Sequence, residues 1–219
     1  MWQEGREVAR TAPTAGRFYL LLLAVMEGHP ERALSLVDRL SADAHARDDQ
    51  QTQIHILWHK SNIALDVGRN MEAAAAAREA VDLDPSRELA GWSASAQGPY
   101  AEATVRLQAQ KAEAILVEAE AIAATYQLRA MQPQLQRARG IFFWHRGDLD
   151  AAISVLQSSV NSARSQQAVL ELGRTLAVLA EVARARGDAS LAASADNERH
   201  QLSNASAGRS GASLGQARQ

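Results

Sequence analysis

Residues 140–156 read GIFFWHRGDLDAAISVL, and this stretch decides the fold. Apolar residues from Ile141 to Trp144 run up to Gly147, which tolerates the left-handed backbone of a helix C-terminus. Asp148 follows at once, in the place of a helix N-cap. Ala152 stands one turn into the second helix, small enough to let two helices approach closely. The stretch is therefore a helix hairpin. Its key residues recur along the chain: Gly28, Gly68, Gly147 and Gly187 lie at intervals of 40, 79 and 40. Ala33, Ala73, Ala112, Ala152 and Ala192 follow at intervals of 40, 39, 40 and 40. Self-similarity at a fixed period of this length signals a stacked repeat array. The long Gly interval is two periods, so a fifth turn without glycine falls near residue 107 or 108.

Working outward, Gly28-His29-Pro30 and Gly187-Asp188 repeat the turn-plus-start pattern, with Pro30 near the first helical position. Helices are expected over Thr14–Glu27, Glu31–His45, Gln51–Val67 capped by Asp48-Asp49, and Asn70–Leu83. A short helix over 86–97 is expected to stop at Gly98-Pro99. From Tyr100 to Met131 there is neither Gly nor Pro. Local sequence there supports one long helix, whereas the period demands a turn near Leu107 to Gln110. Pro133 opens the fourth unit, and Glu171 or Gly173 lies near the start of the fifth. The expected architecture is all-α, a right-handed superhelical array of about five hairpins spanning 14–202. Residues 1–13 form a lead-in. Residues 203–219 have almost no apolar content and are expected to be a disordered tail.

Composition excludes several classes. Of 219 residues none is Cys, which removes disulfides, thiolate catalysis and Cys-ligated zinc. With 23 basic and 25 acidic residues the net charge is -2, so no broad phosphate-binding footprint exists and nucleic-acid binding by this chain alone is not expected. The longest apolar run, Phe18 to Met26, is far short of the ~20 residues that span a bilayer. No membrane association is expected, and the default location is cytoplasmic. No cofactor motif is found, and no G-x-x-x-x-G-K-[ST] loop.

Ile54 to Pro85 resembles a tetratricopeptide unit. Ser61 holds the usual small position, Gly68 the turn, Ala73 and Ala80 the two small positions of the second helix, and Leu83-Asp84-Pro85 the ending. Gly140, Phe143, Gly147, Ala152 and Leu156 match a second unit, and Ala180, Gly187 and Ala192 a third. The period of about 40 departs from the family's 34. It is similar to the helical arm of large bacterial regulators, LuxR-type activators with an NTPase core and cyclases among them, most of all over Gly147 to Arg199.

The resemblance implies a binding surface and not an enzyme: a protein or peptide partner held in the concave groove of the first helices. The residues it places there are His55, Trp58, Asn62, Arg137, Ile141, Trp144, His145, Arg174, Glu181 and Arg184. Combining Trp144 with Arg137, Arg174 and Arg184 suits an acidic segment with an apolar anchor. On that placement Arg137→Glu and Trp144→Ala should spare stability. The alternative is a sensing arm of a transcriptional regulator or cyclase whose output domain lies outside this chain. His55 and His59 share a helical face at metal-ligand spacing, but Ile56 stands where a zincin has Glu, and no third ligand is evident. Asp148 and Asp150 read as capping residues and not as a catalytic pair.

Overall fold

A computed structural model describes residues 29–84 and 90–216. Among these residues the chain is all-α. The helices are α1 (Pro30–Ala46), α2 (Gln50–Asp66), α3 (Asn70–Asp82), α4 (Ala90–Arg106), α5 (Ala112–Thr125), α6 (Gln132–His145), α7 (Leu149–Ser165), α8 (Val169–Arg186) and α9 (Ala189–Gln216). A 3₁₀ turn, Arg129–Met131, precedes α6. The pairs α2/α3, α4/α5, α6/α7 and α8/α9 are four hairpins stacked in chain order, and α1 packs against α2 before them. Thr14–Glu27, Gly28, the lead-in and the Trp92 side chain lie outside the described residues.

The period has a finer grain than the glycines reveal. A positive φ recurs at Asp48, Gly68, Gln108, Gln127, Gly147, Gln167 and Gly187. Apart from one double interval across residues 85–89, these positions are 19 or 20 apart. Every turn is built alike: the residue at positive φ donates its N–H to the carbonyl three positions back, and the next residue donates to the carbonyl five back. That is the Schellman helix ending. It terminates α1, α2, α4, α5, α6, α7 and α8, so the 40-residue unit is two helices with equivalent stops. Glycine marks the stops inside three of the hairpins and Gln108 the stop inside α4/α5, whereas Asp48, Gln127 and Gln167 mark those between hairpins. The turn demanded near residue 107 exists, with Gln108 at φ 51°. Asp49, Asp148 and Asp188 cap the following helices by accepting from the N–H groups of Thr52, Ala151 and Leu191.

The five repeat alanines are all buried, Ala33, Ala73 and Ala152 fully. Gly140 shows why the hairpin needs small residues. A β-carbon there would stand 2.6 Å from Leu156 Cγ, inside any real contact distance. Apolar burial is divided among several clusters along the array, as stacking of neighbours requires.

One expectation is corrected. Gly98-Pro99 does not end a helix: Pro99 lies inside α4. Proline removes one i→i−4 hydrogen bond, but α4 packs along α2, α3 and α6, and that burial overrides the local preference. Gly98 instead supplies clearance, since a β-carbon there would come 2.7 Å from Gln134 Oε1. At the C-terminus, α9 is helical to Gln216, within the segment 203–219 that composition leads one to expect as a tail.

Candidate functional site on the inner face

The first helices of the hairpins, α2, α4, α6 and α8, line the inside of the array. Polar side chains from all four meet there. Asn62 donates to the carbonyl of Trp58 at 3.0 Å and accepts from Gln134 Nε2 at 3.0 Å. Gln134 Nε2 also lies 3.3 Å from Glu102 Oε2. Glu102 accepts from Arg137 at 2.7 and 3.1 Å, and from Arg106 at 2.8 and 3.0 Å. Arg137 reaches on to Glu171 at 2.6 Å and to Thr175 at 3.3 Å. Glu171 accepts from Arg174, whose other prongs grip Asp66 at 2.5 and 2.7 Å. Starting and ending on α2, the circuit joins three carboxylates to three guanidiniums.

The two groups at its centre are fully enclosed: Arg137 and Glu102 are each 1% exposed. Burial alone would raise the Glu102 carboxyl, but Arg137 and Arg106 outweigh it and hold it well below the usual carboxylate range. Burial likewise opposes the charge of Arg137, and Glu102 and Glu171 overcome it. Glu171 is held low in the same way by Arg137 and Arg174. A buried pair of this kind persists because both partners and their remaining hydrogen bonds are satisfied.

Beside the circuit on α2 lies an aromatic cluster. His55 stacks on Trp58 at 5.7 Å, and His59 sits 4.7 Å from His55 and 4.6 Å from Trp58. Burial, helped by the neighbouring His55 ring and the Arg174 guanidinium, pushes His59 down to about 3. Burial also lowers His55. Both rings are thus neutral at physiological pH. Among the described residues no three His, Asp or Glu side chains converge as a metal site.

The ten residues placed in the groove by sequence separate into distinct settings. His55, Trp58, Asn62 and Arg174 come together around the circuit. Arg137 and Ile141 share α6 but are buried, so neither presents a side chain to a partner. The reason is the tight winding of the array, which brings α2 into contact with α6, two hairpins on. Arg137 and Arg174 spend their charge on Glu102, Glu171 and Asp66, which removes them as a free cationic patch. Trp144 is half-buried against the largest apolar cluster, with its ring 6.1 Å from the exposed His145. Glu181 is exposed, and Arg184 turns toward Asp196 on α9. Sequence reasoning missed Asp66, Glu102, Gln134 and Glu171. The i,i+4 pair Glu102/Arg106 and the i,i+3 pair Glu171/Arg174 were its available signals.

Among the described residues no helix is long and apolar enough to cross a membrane. No protein-family model matches the chain, and no curated protein compared with it matches either. Solved structures do resemble it. BtubC (BKLC) from P. vanneervenii is 20% identical over 93% of this chain and 87% of its own, at a TM-score of 0.57. A Rap protein complexed with Competence and Sporulation Factor is 13% identical over 91% of this chain, at a TM-score of 0.72. This chain spans 57% of that Rap protein's length. At such identities the likeness concerns fold alone, and the fold of this chain is that of a tetratricopeptide-like helical repeat.

Proposed function

We propose that this chain is a protein-interaction scaffold that takes a partner segment along its concave face. The observation that carries the reading is the half-exposed His55–Trp58 stack on α2, set beside the Arg174–Asp66 bridge from α8. An aromatic surface next to a partly accessible ion pair offers an apolar anchor with a polar neighbour, which is the usual composition of a binding hot spot. His145, Glu181 and Arg184 supply exposed polar rim, and Trp144 a second partly covered aromatic. Asn62, Arg137 and Ile141 act as the floor that holds these groups. The Rap protein's complex with Competence and Sporulation Factor supports a binding role for a fold of this kind. An acidic partner carboxylate would engage Arg174 by taking the place of Asp66.

The test starts with affinity capture from the native host and identification by mass spectrometry. The purified partner is then titrated against wild type, His55→Ala, Trp58→Leu and the convex-face variant Glu118→Lys. Weakening of at least tenfold in the two α2 variants, with Glu118→Lys unchanged, is the expected result. Undiminished binding in both α2 variants removes the site. A second reading rests on the resemblance of Gly147–Arg199 to regulator arms: the chain senses a ligand or partner for an output domain encoded elsewhere. An NTPase or cyclase reading frame directly upstream would favour it.

A further inference from the structure

The junction between the hairpins α4/α5 and α6/α7 differs from the others. Where α2 and α8 start directly after their turns, the chain before α6 first makes the 3₁₀ turn Arg129–Met131. The turn closes by the Met131 N–H to Leu128 carbonyl bond, and Pro133 follows in the first turn of α6, where its missing N–H costs nothing. Beside this distorted start, α5 and α6 stand apart and leave a cleft of about 540 Å³ on the outside of the array.

The lining of the cleft is unlike the inner face. The cleft is lined by Ala123 and Ala124 on α5, Leu128 in the turn that ends α5, and Leu135 on α6. Gln136 also lines it, and its Oε1 is buried with no hydrogen-bond partner. A buried acceptor left in that state costs about 1–3 kcal/mol. Arg129 lines the cleft too, exposed and without an ion partner among the described residues. Every other cation considered above is paired within the chain. Arg129 and Gln136 are seven positions apart, about 10 Å along a helix. Three residues of extended peptide cover the same distance at about 3.3 Å each.

We infer that this cleft binds an extended acidic peptide segment of a partner, seating one apolar side chain between the Ala123/Ala124 wall and Leu135. Gln136, whose buried Oε1 has no partner to give up, turns its side-chain amide outward to accept the N–H of that apolar residue, and a carboxylate three residues on pairs with Arg129. Polarity follows from charge. Glu120 lines the cleft on α5 and is bound by Arg139 from α6, so a carboxylate is disfavoured there and favoured beside Arg129. The chemistry differs from that of the concave face, where the guanidiniums are already engaged. The two sites are independent, and one protein could hold two segments at once.

The test uses the full chain and a synthetic probe, acetyl-Leu-Ala-Ala-Glu-amide, with its Gln counterpart as control, followed by NMR titration. Saturable shifts at Ala123, Leu128, Leu135 and the Gln136 side-chain amide are expected, with the Gln peptide at least fivefold weaker. Arg129→Ser should erase the difference between the two peptides. Ala124→Trp, a change at an exposed position, should fill the cleft and abolish both titrations while resonances on α8 and α9 stay in place. Equal affinity for the two peptides, shifts confined to Trp58 and its neighbours, or no saturable shift at millimolar probe would each overturn the inference. If Ala124→Trp perturbs the whole spectrum, Arg129→Ser alone decides.

Discussion

Asp66 and Arg174 lie 108 positions apart and form a two-pronged ion pair, with N–O distances of 2.7 and 2.5 Å. Asp66 ends α2 and Arg174 belongs to α8, so the pair spans the inside of the array from the first to the last of the four described hairpins. Its side chains are 30% and 18% exposed. A part-buried bidentate pair of this geometry is stronger than a typical surface bridge, which contributes about 0–1 kcal/mol. A double-mutant cycle with Asp66→Asn and Arg174→Gln should give a coupling of about 1 kcal/mol, smaller in high salt. Zero coupling at low salt would show that the bridge does not hold α2 to α8.

Arg137 is the centre of the buried circuit, and the circuit should fail when one member is removed. Arg137→Met leaves Glu102 and Glu171 with less positive charge and is expected to cost about 3–5 kcal/mol in chemical denaturation. The earlier expectation that Arg137→Glu would be silent is reversed, because that change sets three carboxylates together in a dry site. The exposed Glu181→Ala should stay within about 0.5 kcal/mol. Equal, small effects at 137 and 181 would refute the circuit.

The recurrent turns make a prediction of opposite sign. Gln108, Gln127 and Gln167 hold left-handed backbone at a cost of about 1–2 kcal/mol each in β-carbon crowding. Replacement by Gly relieves it but adds freedom to the unfolded chain, so each change should stabilise by about 0.5–1 kcal/mol. Gly147→Ala should destabilise by about 1 kcal/mol, although open space surrounds its would-be β-carbon. A stability loss in all three Gln→Gly variants would contradict this account of the turns.

The hairpin register is tested by overpacking. Ala73 and Ala152 are fully buried, so Ala73→Leu and Ala152→Leu should each cost about 1–3 kcal/mol. Gln157 is exposed on α7, and Gln157→Leu should be near neutral. Three similar melting temperatures would mean that these alanines do not sit where two helices touch.

Stability should also fall on mild acidification. His59 is held at about 3 in the folded state, below its ordinary 6.5, so the unfolded chain binds its proton first as pH drops. Stability from this residue is complete above pH 6.5 and declines as pH moves from there toward 3, by up to about 1.4 kcal/mol per pH unit. Glu102 and Glu171, held low, add to the loss only below about pH 4.5, where the unfolded carboxyls protonate. His59→Gln should therefore flatten the denaturation profile between pH 6.5 and 5 and leave the steeper loss below 4.5. An unchanged slope in that upper window would place the lability elsewhere.

By itself the sequence determined the elements and their repeat. Gly147, Asp148 and Ala152 act over a few residues: a left-handed stop, a cap and a close contact are local requirements, and local residues carry them. Hence the hairpin register, the buried alanines and the turn at Gln108 were legible, the last through the period alone. The stops at Gln127 and Gln167 were not, because Gln carries no preference for left-handed backbone and takes it only where the flanking helices impose it. Pro99 read as a stop and proved to lie within a helix, since packing against three neighbours exceeds one lost hydrogen bond. The inner face was decided by tertiary structure. Whether Arg137 meets solvent or Glu102 depends on how tightly successive hairpins wind, and that angle accumulates from many small contacts that no single residue specifies. The winding brings Asn62 to Gln134 and Asp66 to Arg174, and so turns residues that resemble an open cationic groove into a closed, charge-balanced circuit.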